Sequence, residues 1–344
     1  MKRSLIALSV AAAVLAPAAE AAPKVYGKIN ITAESYEKDP ATGAKTNQTL
    51  VNSNASRFGL KGEDELTATL SAVYQIEWEV SLDNASTVTA AKAGEDGSKV
   101  KAGTDLKPRN RYLGLKSSEY GTVKIGQYDS YMKLAEGKVD LFNDYVLGDI
   151  EFTVAGQDRV TDVIGYESPK FSGFQVNTMV QGNDATSRGG SSSSVTFADE
   201  EMGLYAAVAY NKGLVGKSAI GATKDRDAMR AVVSYKLGDV TLAGLYHTAE
   251  NTVDGTEEEQ GYLVSGAYAI DDENTFKVQY SAGERDDKAI AGIADRTMLS
   301  VGLDHHFTKK TKVFAFYTTR DEEQKDVTKN YDESSIAVGM EHSF

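Results

Sequence analysis

The side chains that most often do chemistry are thinly spread in this sequence. It contains no cysteine, so it has no disulfide support. Its four histidines, His247, His305, His306 and His342, are scattered. His305 and His306 are adjacent in an alternating segment, where successive side chains point to opposite faces, so they cannot chelate one ion together. His247 stands in "GLYHTAE" without a nucleophile context, and neither a Gly-rich phosphate loop nor a G-x-S-x-G turn is present. No catalytic centre, metal site or cofactor is expected. What remains is charge. Asp and Glu number 50 against 37 Lys and Arg. Rings and patches of charge around water select ions.

The elements that must position these charges alternate with a period of two. In "ATLSAVYQIEWEV", Ala68, Leu70, Ala72, Tyr74, Ile76, Trp78 and Val80 share one face, with Thr, Ser, Gln and Glu on the other. This stretch is about twice the usual strand length of five or six residues. "KVYGKINITAESYE" and "TMLSVGLDHHF" repeat the pattern. Parity then orients two of the bases: Lys28 opposes Ile29 and Ile31, and Arg57 opposes Phe58 and Leu60. Short connections such as "KSSEYG", "SPKFSG" and "FTKKT" alternate with long polar ones at Glu37–Asn54, Ser81–Leu106, Gly182–Asp199 and Asp321–Asp332. The pattern predicts an all-β chain of 16 antiparallel strands closed into a transmembrane β-barrel. A barrel wall needs only every second residue to be apolar, which explains the mean hydropathy of −0.36. The polar half lines a lumen, and sixteen strands leave that lumen wide enough for water.

The ends of the chain agree with this. Lys2 and Arg3, the apolar run Ser4–Ala16 and Ala19-Glu20-Ala21 read as a secretory signal peptide over residues 1–21, leaving 22–344 as the barrel domain. Removing Lys2, Arg3 and Glu20 with the leader takes the net charge from −13 to −14. Such an acidic chain lacks the positive footprint that nucleic acid requires. The terminal "VGMEHSF" is expected to pair with "KVYGKI", abolishing both sheet edges and setting Phe344 in an interfacial aromatic girdle.

Six stretches in order, "VYGKINI", "SRFGLKGEDEL", "RYLGLKSSEYGTVKIGQ", "GYESPKFSGFQV", "VGLDHHFTKKTKVFAFYT" and the terminal Phe, carry a resemblance. Over essentially the whole mature chain, the sequence resembles the Gram-negative general diffusion porins, the trimeric outer-membrane porins with a "YG-K/R" first strand. The resemblance implies a passive, water-filled channel in the outer membrane rather than an enzyme. It also implies a homotrimer, contact with outer-membrane lipid and lipopolysaccharide, and a reading of Phe344 by the barrel-assembly machinery.

It places the third long loop at Tyr128–Asp158 and folds it into the lumen. There Leu134, Val139, Leu141, Phe142, Val146 and Leu147 are expected on the inner wall, and Asp140, Asp144, Asp149 and Glu151 in the opening. A basic wall of Lys28, Arg57, Arg109 or Arg111, and Arg159 is expected opposite. Acids facing bases across water make a transverse field, which favours polar solutes. Gln127 and Glu167 replace bases seen in relatives, which, with the acidic net charge, points to a weak cation preference. A substrate-selective porin and an adhesin acting through its surface loops are the alternatives. The second long loop, Ser81–Leu106, is where such porins latch over a neighbour.

Overall fold

The computed structural model describes residues 22–83, 106–183, 189–217, 223–252, 257–287 and 292–344. The expected leader therefore lies outside the described residues, as do residues 84–105 of the expected latch. The first strands are β1 (Lys24–Pro40), β2 (Thr46–Ser53), β3 (Arg57–Thr67), β4 (Leu70–Val80), β5 (Leu106–Ser117) and β6 (Gly121–Asp129). A loop containing the one-turn helix α1 (Tyr131–Leu134) and a 3-10 turn (Ile150–Phe152) follows. Next come β7 (Arg159–Glu167), β8 (Phe174–Gln181), β9 (Ser191–Asp199), β10 (Leu204–Lys217), β11 (Thr223–Leu237) and β12 (Val240–Asn251). The chain ends with β13 (Glu257–Ala269), β14 (Asn274–Asp287), β15 (Gly292–Thr308), β16 (Thr311–Gln324) and β17 (Tyr331–Ser343).

These segments form one antiparallel sheet in which each strand pairs with its sequence neighbours, and β17 returns to β1. The 17 segments make 16 barrel strands, because β2 and β3 both pair with β1 and are the two halves of one strand. The break falls at Asn54–Ser56, where Ala55 takes φ +47°. The closing register runs from Lys28 opposite Ser343 to Pro40 opposite Tyr331. Beyond it, Gly27 and Phe344 exchange backbone bonds of 3.3 and 3.0 Å. The chain end is pinned because any unpaired edge in a membrane would leave backbone groups without partners.

Parity sorts the faces. On β17, Ile336, Val338 and Met340 are exposed outward while Glu333, Ser335 and Ala337 are buried inward. Outward tyrosines at 210, 246, 262 and 317 lie towards one rim, and Tyr235, Tyr268, Phe276 and Phe307 towards the other, with Val208, Leu242, Val264 and Val278 between. Two aromatic belts around an aliphatic band match a bilayer's two interfaces.

Several connections are shorter than expected. The stretch Glu37–Asn54 is mostly strand, with only residues 41–45 and Asn54 outside it. Likewise β9 fills Ser191–Asp199, and β16 and β17 extend into Asp321–Asp332. The ladders run on past the apolar band, where polar residues pair as readily as apolar ones.

Candidate functional site

The segment between β6 and β7 lies inside the barrel. Its neck is closed by Ser130 N donating to Asp158 O at 2.9 Å. The Ser130 hydroxyl caps α1 by accepting from Lys133 N at 3.1 Å. Beyond the neck the loop buries Met132, Ala135, Val139, Ile150 and Val154 against the inward Ala207, Ala209, Ala228, Val232, Leu245 and Leu263 of β10–β13. Further round, Phe142 and Tyr145 pack on Phe314, Phe316 and Ala337, and Leu147 packs on Tyr36 and Leu50. Of the six apolar residues expected on the wall, Val139, Phe142 and Leu147 are fully buried and Leu141 packs at the edge. Leu134 and Val146 turn away and are exposed, because an irregular backbone has no fixed period to keep successive apolar residues on one side.

Side chains of the wall satisfy the loop's backbone. Tyr205 donates to Ala135 O at 2.8 Å, Ser265 to Val139 O at 2.6 Å and Lys277 to Leu141 O at 3.2 Å. Arg230 donates to Ala155 O at 2.6 Å and Arg296 to Phe152 O at 2.9 Å. Buried backbone groups need such partners. None of these wall residues was expected from sequence. The available signal was a local break in alternation: "LYAAVAY" is apolar on both faces, which a lumen-lining strand does not need unless something packs inside.

The four loop carboxylates expected in the opening have different fates. Asp140 does not point into the opening. It is buried and accepts from Phe142 N, Ile150 N and Gln279 Nε2 at 3.0, 3.0 and 2.9 Å, so it braces the loop internally. Burial, together with Asp149 and Glu136, pushes its pKa up. Asp149 caps the 3-10 turn, accepting from Glu151 N at 2.8 Å and from Asp144 N at 3.1 Å. Burial and the neighbouring Glu151 push it up to about 7. Glu151 is half-buried in that turn. Asp144 reaches the wall at β1 and β3, meeting Lys28 Nζ at 3.0 Å and Arg57 Nη2 at 3.1 Å. Burial alone would raise its pKa, but Arg57 and then Lys28 outweigh burial and hold the carboxyl below its ordinary value.

The bases come from β1, β3, β5 and β7, and Lys28 and Arg57 stand directly opposite each other on the paired β1 and β3. Lys28 on β1 also meets Glu341 at 3.4 Å. Arg109 on β5 pairs with Glu77 at 2.8 Å and Glu79 at 3.0 Å. Arg159 on β7 pairs with Asp129 at 2.9 Å. Arg111 is not on this wall. It stands opposite Ile76 and Gln127, facing outward with Leu113 and Ile125, and bonds to the Gln127 side chain. The register between β4 and β5 shifts between Ile76 and Trp78, so Arg109 and Asn110 together oppose Glu77. This two-for-one bulge sets Arg109 inside and Arg111 outside. Gln127 therefore also lies off the wall. Glu167, by contrast, faces the lumen and holds Lys124.

Comparison with known proteins agrees with this geometry. A Gram-negative porin family model matches residues 7–325. Outer membrane porin protein 32 of Delftia acidovorans is 25% identical, with 100% of both chains covered. Among solved structures, the anion-selective porin from Comamonas acidovorans superposes with a TM-score of 0.69 at 19% identity, covering 94% of this chain and 99% of that one. The trimer form of OmpT from Vibrio cholerae superposes at 0.65 with 15% identity, covering 94% and 99%. With the family match spanning most of a chain that closes a sixteen-stranded barrel around a docked loop, the protein belongs to the Gram-negative porin family and is an outer-membrane channel, not an enzyme.

Proposed function

We propose that this porin passes small hydrophilic solutes and ions by passive diffusion, with a weak preference for cations. The observation that carries the preference is the balance at the constriction. Lys28, Arg57, Arg109 and Arg159 each meet at least one carboxylate, drawn from Asp144, Glu341, Glu77, Glu79 and Asp129. A wall whose bases are matched in this way has no surplus positive charge to hold anions, and the chain as a whole carries −13. The Comamonas porin's anion selectivity belongs to that protein. Asp144 facing Lys28 and Arg57 supplies the transverse field that favours polar solutes over apolar ones.

The working form in this reading is a homotrimer of residues 22–344, after loss of the leader at 1–21. The trimer form of the Vibrio cholerae neighbour supports the oligomer. The outward aliphatic band and aromatic belts fit outer-membrane lipid and lipopolysaccharide, and Phe344 is the residue offered to the assembly machinery. The test is single-channel recording in a planar bilayer under a KCl gradient. Steps closing in thirds, with a reversal potential favouring K⁺, are expected. Anion-favouring potentials would overturn the cation preference, and an absence of thirds would overturn the trimer.

A further inference from the structure

Lys124 of β6 is a lumen-side lysine that the constriction does not use. It is only 8% exposed. Its ammonium lies 4.9, 4.7 and 5.8 Å from the ring centroids of Tyr112, Tyr128 and Tyr131, which come from β5, the end of β6 and α1. Its ion-pair partner is Glu167 of β7, which also accepts from the Tyr131 hydroxyl at 3.3 Å. Tyr128 meets Tyr112 and Tyr131 edge-on, with centroids 5.7 and 6.3 Å apart. A cation enclosed by ring faces and one carboxylate is held from several directions at once.

The recess that receives these groups is made by missing side chains. A Cβ on Gly165 would stand 2.1 Å from the Tyr128 hydroxyl and 3.0 Å from that of Tyr131. A Cβ on Gly114 would stand 3.0 Å from Lys124 Cγ. Glycines of β5 and β7 thus leave room for the lysine and the two tyrosines. Beneath them Val160, Val163 and Met179 are buried against the same tyrosines. The constriction loop leaves the wall at Ser130, directly between Tyr128 and Tyr131.

We infer that Lys124 is a positioning residue for the constriction: with Glu167 and the three tyrosines, it clamps the neck of the loop and thereby sets where Asp144 stands against Arg57 and Lys28. This rests on the channel reading above. The neck, closed by Ser130 N and Asp158 O, is where the loop joins the strands, and Tyr128 and Tyr131 flank its first residues. Lys124 touches no permeating solute in this scheme. It acts through Tyr128 and Tyr131.

The experiment compares single-channel records and KCl-gradient reversal potentials of wild type, Lys124→Met, Lys124→Arg and Gly165→Ala, all as heat-resistant folded protein. Wild type is expected to show one open level per subunit. Lys124→Met and Gly165→Ala are expected to lose it, showing several sublevels and a shifted reversal potential, and Lys124→Arg is expected to restore it. A lysine that served only barrel stability would move the melting temperature and leave the reversal potential unchanged. Wild-type levels and potentials in both Lys124→Met and Gly165→Ala would overturn the inference, as would failure of Lys124→Arg to restore them. If Lys124→Met does not insert, Gly165→Ala, which leaves every charge in place, decides alone. A wild type without steps would fail the channel reading instead, so the two failures are distinct.

Discussion

Asp144, at the tip of the constriction loop, accepts a hydrogen bond from Lys28 Nζ at 3.0 Å across 116 residues of sequence, in a backbone conformation of φ +73°. Left-handed backbone costs a non-glycine residue on the order of 1 kcal/mol, and Asp tolerates it better than most. The conformation persists because two cations converge on the carboxylate it presents. The same contact fastens the loop to the first strand.

Asp144→Asn is expected to weaken this fastening. Loss of a charged hydrogen-bonded partner costs about 1.5–3 kcal/mol, borne here by the loop rather than by the barrel. Lys28 and Arg57 then lack a loop counter-charge, so the reversal potential in a KCl gradient should move towards anions. An unchanged potential would show that the pair is electrically silent.

Arg109→Gln and Arg111→Gln separate the two sides of the wall. Arg109→Gln leaves Glu77 and Glu79 without their shared cation, so cation preference should increase. Arg111→Gln alters only the outward face and should leave conductance and selectivity at wild-type values. Equal effects of the two substitutions on selectivity would contradict the bulge between β4 and β5.

Two loop carboxylates titrate in opposite directions. Asp144 has its pKa depressed by Arg57 and Lys28, so its stabilisation is complete above the ordinary aspartate value of about 3.9 and is lost only as pH falls through its lower folded value. Asp149 is raised to about 7, so its protonated form suits the fold. The stabilisation it brings is full below about pH 4 and declines as pH rises through 7. Open-channel noise should therefore grow between pH 6 and 8, and Asp149→Asn should flatten that rise. Noise rising equally in the variant would assign the effect elsewhere.

Phe344 offers a test that separates lipid anchoring from recognition during assembly. A Cβ at Gly27 would lie 2.5 Å from Phe344 Cζ, so the terminal ring lies over the first strand in a slot only glycine leaves open. Phe344→Ala should fold in detergent with a modestly lower melting temperature. In cells its yield in the outer membrane should fall much further. Equal losses in both settings would make the ring a packing element only.

Much of this protein was legible because alternation is a local property. A residue's side of a strand depends on its nearest neighbours, so "ATLSAVYQIEWEV", "KVYGKI" and "VGMEHSF" determined the barrel, its closure and the inward direction of Lys28 and Arg57. Composition determined the acidic class, and motif order placed the loop between β6 and β7. Tertiary structure decided what alternation cannot encode. One extra residue at Arg109–Asn110 turned Arg111 outward, because a bulge resets parity without leaving a mark in the hydropathy pattern. The loop, with no period, distributed its acids by which partner each could reach: Asp140 to the loop's own N–H groups, Asp149 to a cap, and Asp144 to the wall at β1 and β3. The most distant of those partners, Lys28, is 116 residues from Asp144 in the chain and becomes its neighbour only once the barrel has closed.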